Sequence, residues 1–179
     1  MGLLGLRVPP QTARVLGEID VPHREADPHI TMFYFEKTMS LDHVFKAART
    51  TYEVLSNVRP FTLRTSVVTC FPKGDDGVPL ICKVESPPLM ALRETLASAF
   101  EADGVDFSKK HPKYIPHVTL SYIDEPVPDQ KIPVVEWGAH ELILWAGNDG
   151  ESRMVVTFPL TLGLEERVAR RFAALRPTV

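Results

Sequence analysis

The chain contains two copies of one five-residue pattern, Pro28-His-Ile-Thr-Met32 and Pro116-His-Val-Thr-Leu120. Each copy consists of proline, histidine, a β-branched residue, threonine and an apolar residue, and each begins a stretch typical of a β-strand. One His-x-Thr arises easily by chance in a chain with six histidines, but agreement at five positions indicates an internal repeat. The sequence therefore predicts two related halves, each carrying one copy of the motif.

Strand geometry explains the spacing within each motif. Side chains alternate between the two faces of a strand, so the histidine and the threonine point the same way. If the two halves pack face to face about a pseudo-two-fold axis, His29, Thr31, His117 and Thr119 line one groove. The pattern predicts a phosphate-sized site made of two imidazoles and two hydroxyls.

These residue types suit the cleavage of a phosphodiester. Histidine titrates near neutral pH, so one neutral ring can accept a proton while a protonated ring donates another. Threonine hydroxyls can donate hydrogen bonds to the nonbridging oxygens, where charge is concentrated in the transition state. The sequence contains none of the usual metal-ligand patterns, and we expect neither a metal nor a cofactor.

Hydrophobic periodicity places the motifs in a series of strands and helices. Apolar and β-branched runs predict strands over 3–8, 30–35, 61–71, 78–85, 118–123, 139–146 and 153–160. Helices are predicted over about 9–17, 41–55, 87–103 and 165–175, with Ser40 as the N-cap of the second. The buried face of that second helix is expected to contain Leu41, Val44, Phe45, Ala48, Tyr52 and Leu55.

The connections between the predicted elements indicate the fold class. Several strands are joined by short loops, which favours antiparallel sheets with helices packed outside. No charged block or low-complexity segment separates one part of the chain from another. We therefore expect one α+β domain over residues 1–179.

Composition and charge exclude several classes of protein. Twenty Lys and Arg against 23 Asp and Glu give a net charge of −3, which argues against binding long nucleic acid through many phosphates. The apolar stretches are far shorter than the roughly 20 residues that span a bilayer, so we expect no membrane association. We also expect the protein to be cytoplasmic and a monomer. Cys70 and Cys82 are predicted to be reduced thiols, although they could face each other across a hairpin.

The two motifs, with the stretch Tyr114-Ile-Pro-His-Val-Thr-Leu-Ser-Tyr122, resemble the 2H phosphoesterase superfamily. The likeness is greatest to its 2′-5′ RNA ligase and cyclic phosphodiesterase branch. The predicted order of elements is similar to that family along nearly the whole chain. The resemblance implies a bilobal fold, with two antiparallel sheets around a central groove, helices outside and a pseudo-two-fold repeat.

The resemblance also implies an activity. It suggests metal-independent chemistry on 2′,3′-cyclic or 2′-5′ phosphodiesters, with His29 and His117 as catalytic acid and base and Thr31 and Thr119 as phosphate ligands. One position departs from the pattern, because many bacterial RNA-ligase-like members have an arginine where this chain has Tyr122. This difference disfavours ligase activity and a long RNA substrate.

Three further residues are weaker candidates for substrate binding. Lys113 belongs to the basic loop 108–113, which could attract phosphate but is equally explained as a solvated loop. Tyr114 and Trp145 could stack on a nucleobase, although packing in the core or at the groove rim explains them as well.

Several functions fit these residues. The leading interpretation is a phosphodiesterase acting on a cyclic or 2′-linked bond in a small nucleotide or oligonucleotide. Alternatives are a viral-type hydrolase of cyclic oligonucleotide immune signals, a 2′-5′ RNA ligase or RNA end-processing enzyme, and a module that sequesters nucleotides without turnover. Intact histidines in both motifs argue against the last of these.

Overall fold

The computed structural model describes residues 2–22, 24, 26–35, 40–111, 113–146 and 154–160. Its helices are α1 (Pro10–Gly17), α2 (Leu41–Leu55) and α3 (Pro87–Asp103). Its strands are β1 (Leu3–Arg7), β2 (His29–Tyr34), β3 (Phe61–Cys70), β4 (Val78–Glu85), β5 (His117–Ile123), β6 (Gln130–Lys131), β7 (Glu136–Ala139), β8 (Glu141–Ala146) and β9 (Met154–Pro159). The predicted helix over 165–175 lies outside the described residues.

The strands form two antiparallel sheets. One sheet has the order β2-β1-β8-β9, and the other has the order β5-β4-β3-β6, with β7 also paired to β3. The two motif strands, β2 and β5, are therefore each at an edge of their own sheet, and these two edges contact each other. This arrangement confirms the predicted α+β fold, in which two related halves meet at the motifs.

Helix α2 begins as predicted, but its buried face differs from the expected one. The Ser40 hydroxyl accepts a hydrogen bond from the His43 amide at 3.2 Å, which caps the helix. Leu41, Phe45 and Tyr52 are 63%, 63% and 68% exposed, so their assignment to the core was wrong. Val44 and Leu55 are buried as predicted, and the small or hydroxyl-bearing residues Ala47, Thr50 and Thr51 complete the buried face.

Helix packing explains this difference. The helix carries two stripes at three- and four-residue spacing, one with large side chains and one with several small ones. The stripe with small side chains lets α2 approach α3, where the Thr50 hydroxyl donates a 2.6 Å hydrogen bond to the Asp103 carboxylate. Periodicity alone could not choose between the two stripes.

The two cysteines are not opposite each other in the β3–β4 hairpin. Cys70 pairs with Leu80 and Cys82 pairs with Val68, and both thiols are free. Burial raises the pKa of the Cys82 thiol to about 11, which keeps it protonated at neutral pH.

Candidate active site

Strand β2, which carries the first motif, contains a β-bulge directly after Thr31. Gly5 of β1 is opposite Thr31 and Leu4 is opposite Phe33, which makes Met32 the extra residue of the bulge. The extra residue shifts the alternation of side chains by one position. Phe33 is consequently packed in the core, in edge-to-face contact with Phe100 of α3 at 5.0 Å.

Motif strand β5 contains the same irregularity at the same position. Ile81 of β4 is opposite Thr119 and Leu80 is opposite Ser121, so Leu120 is the extra residue. Ser121 is fully buried and its hydroxyl donates to the Pro22 carbonyl. In both halves the bulge comes directly after the His-x-Thr unit, and the residue that follows the bulge, Phe33 or Ser121, is buried.

The two histidines are held by equivalent hydrogen bonds. Nδ1 of His29 lies 2.8 Å from the Asp27 carbonyl oxygen, and Nδ1 of His117 lies 2.7 Å from the Ile115 carbonyl oxygen. A carbonyl oxygen only accepts, so each Nδ1 must donate its proton. In the neutral ring this fixes the tautomer, and the lone pair is on Nε2. Each ring therefore offers Nε2 for proton transfer.

An aromatic ring packs against each histidine. Trp145 of β8 lies 5.9 Å from the His29 ring, and Phe71 lies edge-to-face with the His117 ring at 4.7 Å, both between centroids. Trp145 was a sequence candidate, and the structure brings it to the first motif. Phe71 was not predicted, because its contact with His117 depends on the path of the loop that joins β3 to β4.

The electrostatics of the two histidines are linked. Burial lowers the pKa of His117, the hydrogen bond to Ile115 partly opposes this effect, and the positive charge of His29 lowers the pKa further. His111, in the basic loop before the second motif, acts in the same direction. The lowered pKa favours the neutral form of His117, and the contact between β2 and β5 brings the two motif strands together.

The two threonines have different surroundings. Thr31 is 8% exposed, and its Oγ1 lies 3.5 Å from the Tyr34 hydroxyl. Thr119 borders a cavity of about 150 Å³ between β5, α1 and the α1–β2 loop, and Arg24 borders the same cavity. Arg24 is fixed there because it donates to the Leu16 carbonyl at 3.0 Å.

Tyr34 extends the repeat beyond the five residues of each motif. It follows Thr31 by three positions, as Tyr122 follows Thr119, and both tyrosines are 42% exposed. Comparing the two motifs over two more residues would have revealed the match.

The other two sequence candidates are in the segment before the second motif. Lys113 is exposed. Tyr114 packs against the core, with the Arg93 guanidinium 5.5 Å from its ring. Its buried hydroxyl has no hydrogen-bond partner within the described residues, and burial raises its pKa. A role for either residue in substrate binding stays a prediction.

The described residues contain neither a cluster of metal-ligating side chains nor a helix suited to a membrane. Among these residues, His, Cys, Asp and Glu side chains form no group of three or more that could hold a metal ion. None of the helices in the same residues has the length and apolar character needed to cross a membrane.

Comparisons with known proteins agree with this geometry. The sequence profile of the 2′-5′ RNA ligase superfamily matches residues 6–150. TT0787 of Thermus thermophilus superposes with a TM-score of 0.68 at 18% identity, over 89% of this chain and 97% of that chain. E. coli LigT complexed with 3′-AMP gives 0.61 at 17% identity, over 89% and 94%.

A more distant structural neighbour is the MHV ns2 PDE domain, with a TM-score of 0.50 at 11% identity over 93% of this chain and 92% of that chain. No curated protein sequence matches the chain significantly. The structural neighbours support the fold, and the profile covers most of the chain. The chain therefore belongs to the 2′-5′ RNA ligase superfamily and has the bilobal 2H phosphoesterase fold.

Proposed function

We propose that this protein is a metal-independent phosphodiesterase that cleaves a cyclic or 2′-linked bond in a small nucleotide or oligonucleotide. The observation that carries the proposal is the matched pair of histidines. Each ring is held at Nδ1 by a backbone carbonyl, which leaves Nε2 available for proton transfer, and the two motif strands β2 and β5 contact each other. Two such rings supply the base and the acid that a displacement at phosphorus requires.

The surroundings of the histidines suggest how the roles are divided. His117 is the more desolvated ring and its pKa is lowered, so it suits the general base. It accepts the proton of the attacking water or neighbouring ribose hydroxyl as the new P–O bond forms. His29 then protonates the departing oxygen as the old P–O bond breaks, which leaves a phosphomonoester after attack by water or a cyclic phosphate after attack by ribose.

The threonines complete the site for a phosphate in the transition state. Thr31 and Thr119 share the face of their strands with the histidines, so both hydroxyls can donate to nonbridging oxygens. Such preorganised donors act on charge that increases during the reaction, so they favour the transition state over the substrate.

Three observations support a small substrate and hydrolysis. The net charge of −3 disfavours a long nucleic acid. E. coli LigT, a structural neighbour, has been solved with 3′-AMP, ATP and NADP+. Tyr122 replaces an arginine that is common in ligase-like relatives.

We also propose that the enzyme is cytoplasmic, a compartment in which its two free thiols, Cys70 and Cys82, would stay reduced.

Phosphorus NMR of the purified protein in excess EDTA tests this function. The panel contains 2′,3′-cyclic mononucleotides, cyclic di- and trinucleotides, and 2′-5′ oligoadenylates. We expect at least one diester resonance to convert to a phosphomonoester or a cyclic phosphate. Conversion that requires an added divalent ion would contradict the mechanism, and binding without any conversion would favour a sequestering module.

A further inference from the structure

A basic residue lies directly opposite each catalytic histidine. In the β1–β2 pair, Arg7 is the cross-strand partner of His29, and in the β4–β5 pair, Lys83 is the cross-strand partner of His117. Residues directly opposite in an antiparallel pair project from the same face of the sheet. Both cations are therefore on the face that carries the histidine and the threonine.

The order of strands places the cations outside the histidines. Strands β2 and β5 form the two edges that meet at the groove, and β1 and β4 are the next strands outward. Neighbouring strands are about 4.8 Å apart. The four side chains therefore follow one line across both sheets, in the order Arg7, His29, His117 and Lys83.

The contacts of Arg7 support this placement. Its guanidinium lies 5.8 Å from the centre of the Trp145 indole, the same ring that packs against His29. An arginine above an indole keeps its planar donors free for a further partner. The indole thus holds Arg7 beside the first motif.

Neither cation has an anionic partner in the part of the chain that the structure describes. The ion pairs found there are Arg49–Glu53, Arg64–Glu85 and Lys109–Glu101, and none includes Arg7 or Lys83. Arg7 is exposed and Lys83 is half-buried, so both can reach a ligand in the groove. Two available cations at equivalent positions indicate two anionic groups in the substrate.

We propose that Arg7 and Lys83 each bind a phosphate that flanks the scissile one, so that the substrate is an oligonucleotide with phosphates on both sides of the cleaved linkage. This inference rests on the proposed phosphodiesterase function and narrows its substrate class. The histidines and threonines engage the central phosphate, and the cations engage its neighbours through charge-assisted hydrogen bonds. A 2′,3′-cyclic mononucleotide has one phosphate and leaves both cations without a partner.

A series of matched dinucleotides tests the proposal. The ligands are 2′-5′-linked diadenosine monophosphate and the same molecule with a terminal phosphate at the 5′ end, at the other end, or at both. Calorimetry on the His117→Ala protein measures affinity without turnover. We expect each terminal phosphate to tighten binding by about 10-fold to 100-fold.

Charge-removing variants assign each cation to one end of the ligand. Arg7→Gln should abolish the gain from one terminal phosphate and Lys83→Gln the gain from the other, while affinity for the dinucleotide without terminal phosphates is kept. That retained affinity also shows that the variants fold. Arg49→Gln and Lys131→Gln remove the same charge at exposed positions on α2 and β6, and should retain both gains.

The possible outcomes separate this inference from the proposed function. Equal affinity across the ligand series, or variants that weaken all four ligands alike, would overturn the role of Arg7 and Lys83 even if the wild-type enzyme cleaves a diester. Phosphate-dependent affinity that the two variants remove, without cleavage of any diester by the wild-type protein, would support the role of the cations and overturn the phosphodiesterase.

Discussion

The approach of β1 to the first motif predicts a large effect of Gly5→Ala. A Cβ atom at this position would lie 2.2 Å from the Ile30 carbonyl oxygen and 3.2 Å from the Thr31 Cα. Both neighbours are backbone atoms in a paired strand, so the clash can be relieved only by moving β1 away from β2. Overpacking of this kind costs about 1 to 3 kcal/mol, and the movement would also displace Thr31 and His29 from the groove.

Urea unfolding of Gly5→Ala beside Gly17→Ala measures the effect. A Cβ at Gly17 meets no atom within 4 Å, and this residue ends α1. Alanine there should be neutral or stabilise the protein by about 0.4 to 1 kcal/mol, because it restricts the unfolded chain. If Gly5→Ala were as stable as wild type, the close approach of Gly5 in β1 to the backbone of Ile30 and Thr31 in β2 would be contradicted.

Three other predictions concern the site and its support. His29→Ala should raise the pKa of His117, because it removes a positive charge that opposes protonation of the His117 ring. If the midpoint of the His117 titration in proton NMR were unchanged, the two rings would be too far apart to cooperate. Arg93→Ala should lower the free energy of unfolding by about 2 to 4 kcal/mol. The Arg93 guanidinium donates to the Met32 carbonyl in the β2 bulge at 2.8 Å and lies 3.7 Å from the centre of the buried Phe33 ring. A loss below about 0.5 kcal/mol in chemical unfolding would refute this role. Thr31→Val and Thr119→Val should each slow single-turnover cleavage about 10-fold to 200-fold, because each removes one hydrogen bond to a charged phosphate; wild-type rates would exclude the threonines from phosphate binding.

Patterns within short stretches of sequence were sufficient to predict the two motif strands and the internal repeat that relates them. The His-x-Thr spacing encodes which side chains share a face, and that rule holds in both copies because the bulge follows the threonine. The N-cap at Ser40 was predicted for the same reason, since capping involves residues within one turn. The repeat also allowed the two halves to be related before any contact between them was known.

Features that depend on pairing between distant segments could not be predicted. The positions of Arg7 and Lys83 beside the histidines follow from strand register, which no local pattern in either strand encodes. The contact of Phe71 with His117 depends on the path of a hairpin. The buried face of α2 was predicted only in part. Val44 and Leu55 are buried, but Leu41, Phe45 and Tyr52 are exposed, because the choice between two stripes depends on the approach of α3.

Single-turnover cleavage by His29→Ala, His117→Ala and the double variant tests the central claim most directly, with affinity measured separately on the same substrate. If the two rings act as acid and base in one displacement, each single variant should be about 10²-fold to 10⁴-fold slower than wild type, with binding largely kept. The double variant should be little worse than either single one, because losing one partner already closes the concerted route. His140→Ala, at an exposed position between β7 and β8, is the control and should react at the wild-type rate. Wild-type rates in both single variants, with affinity reduced in each, would show that the histidines bind the nucleotide and do not catalyse its cleavage.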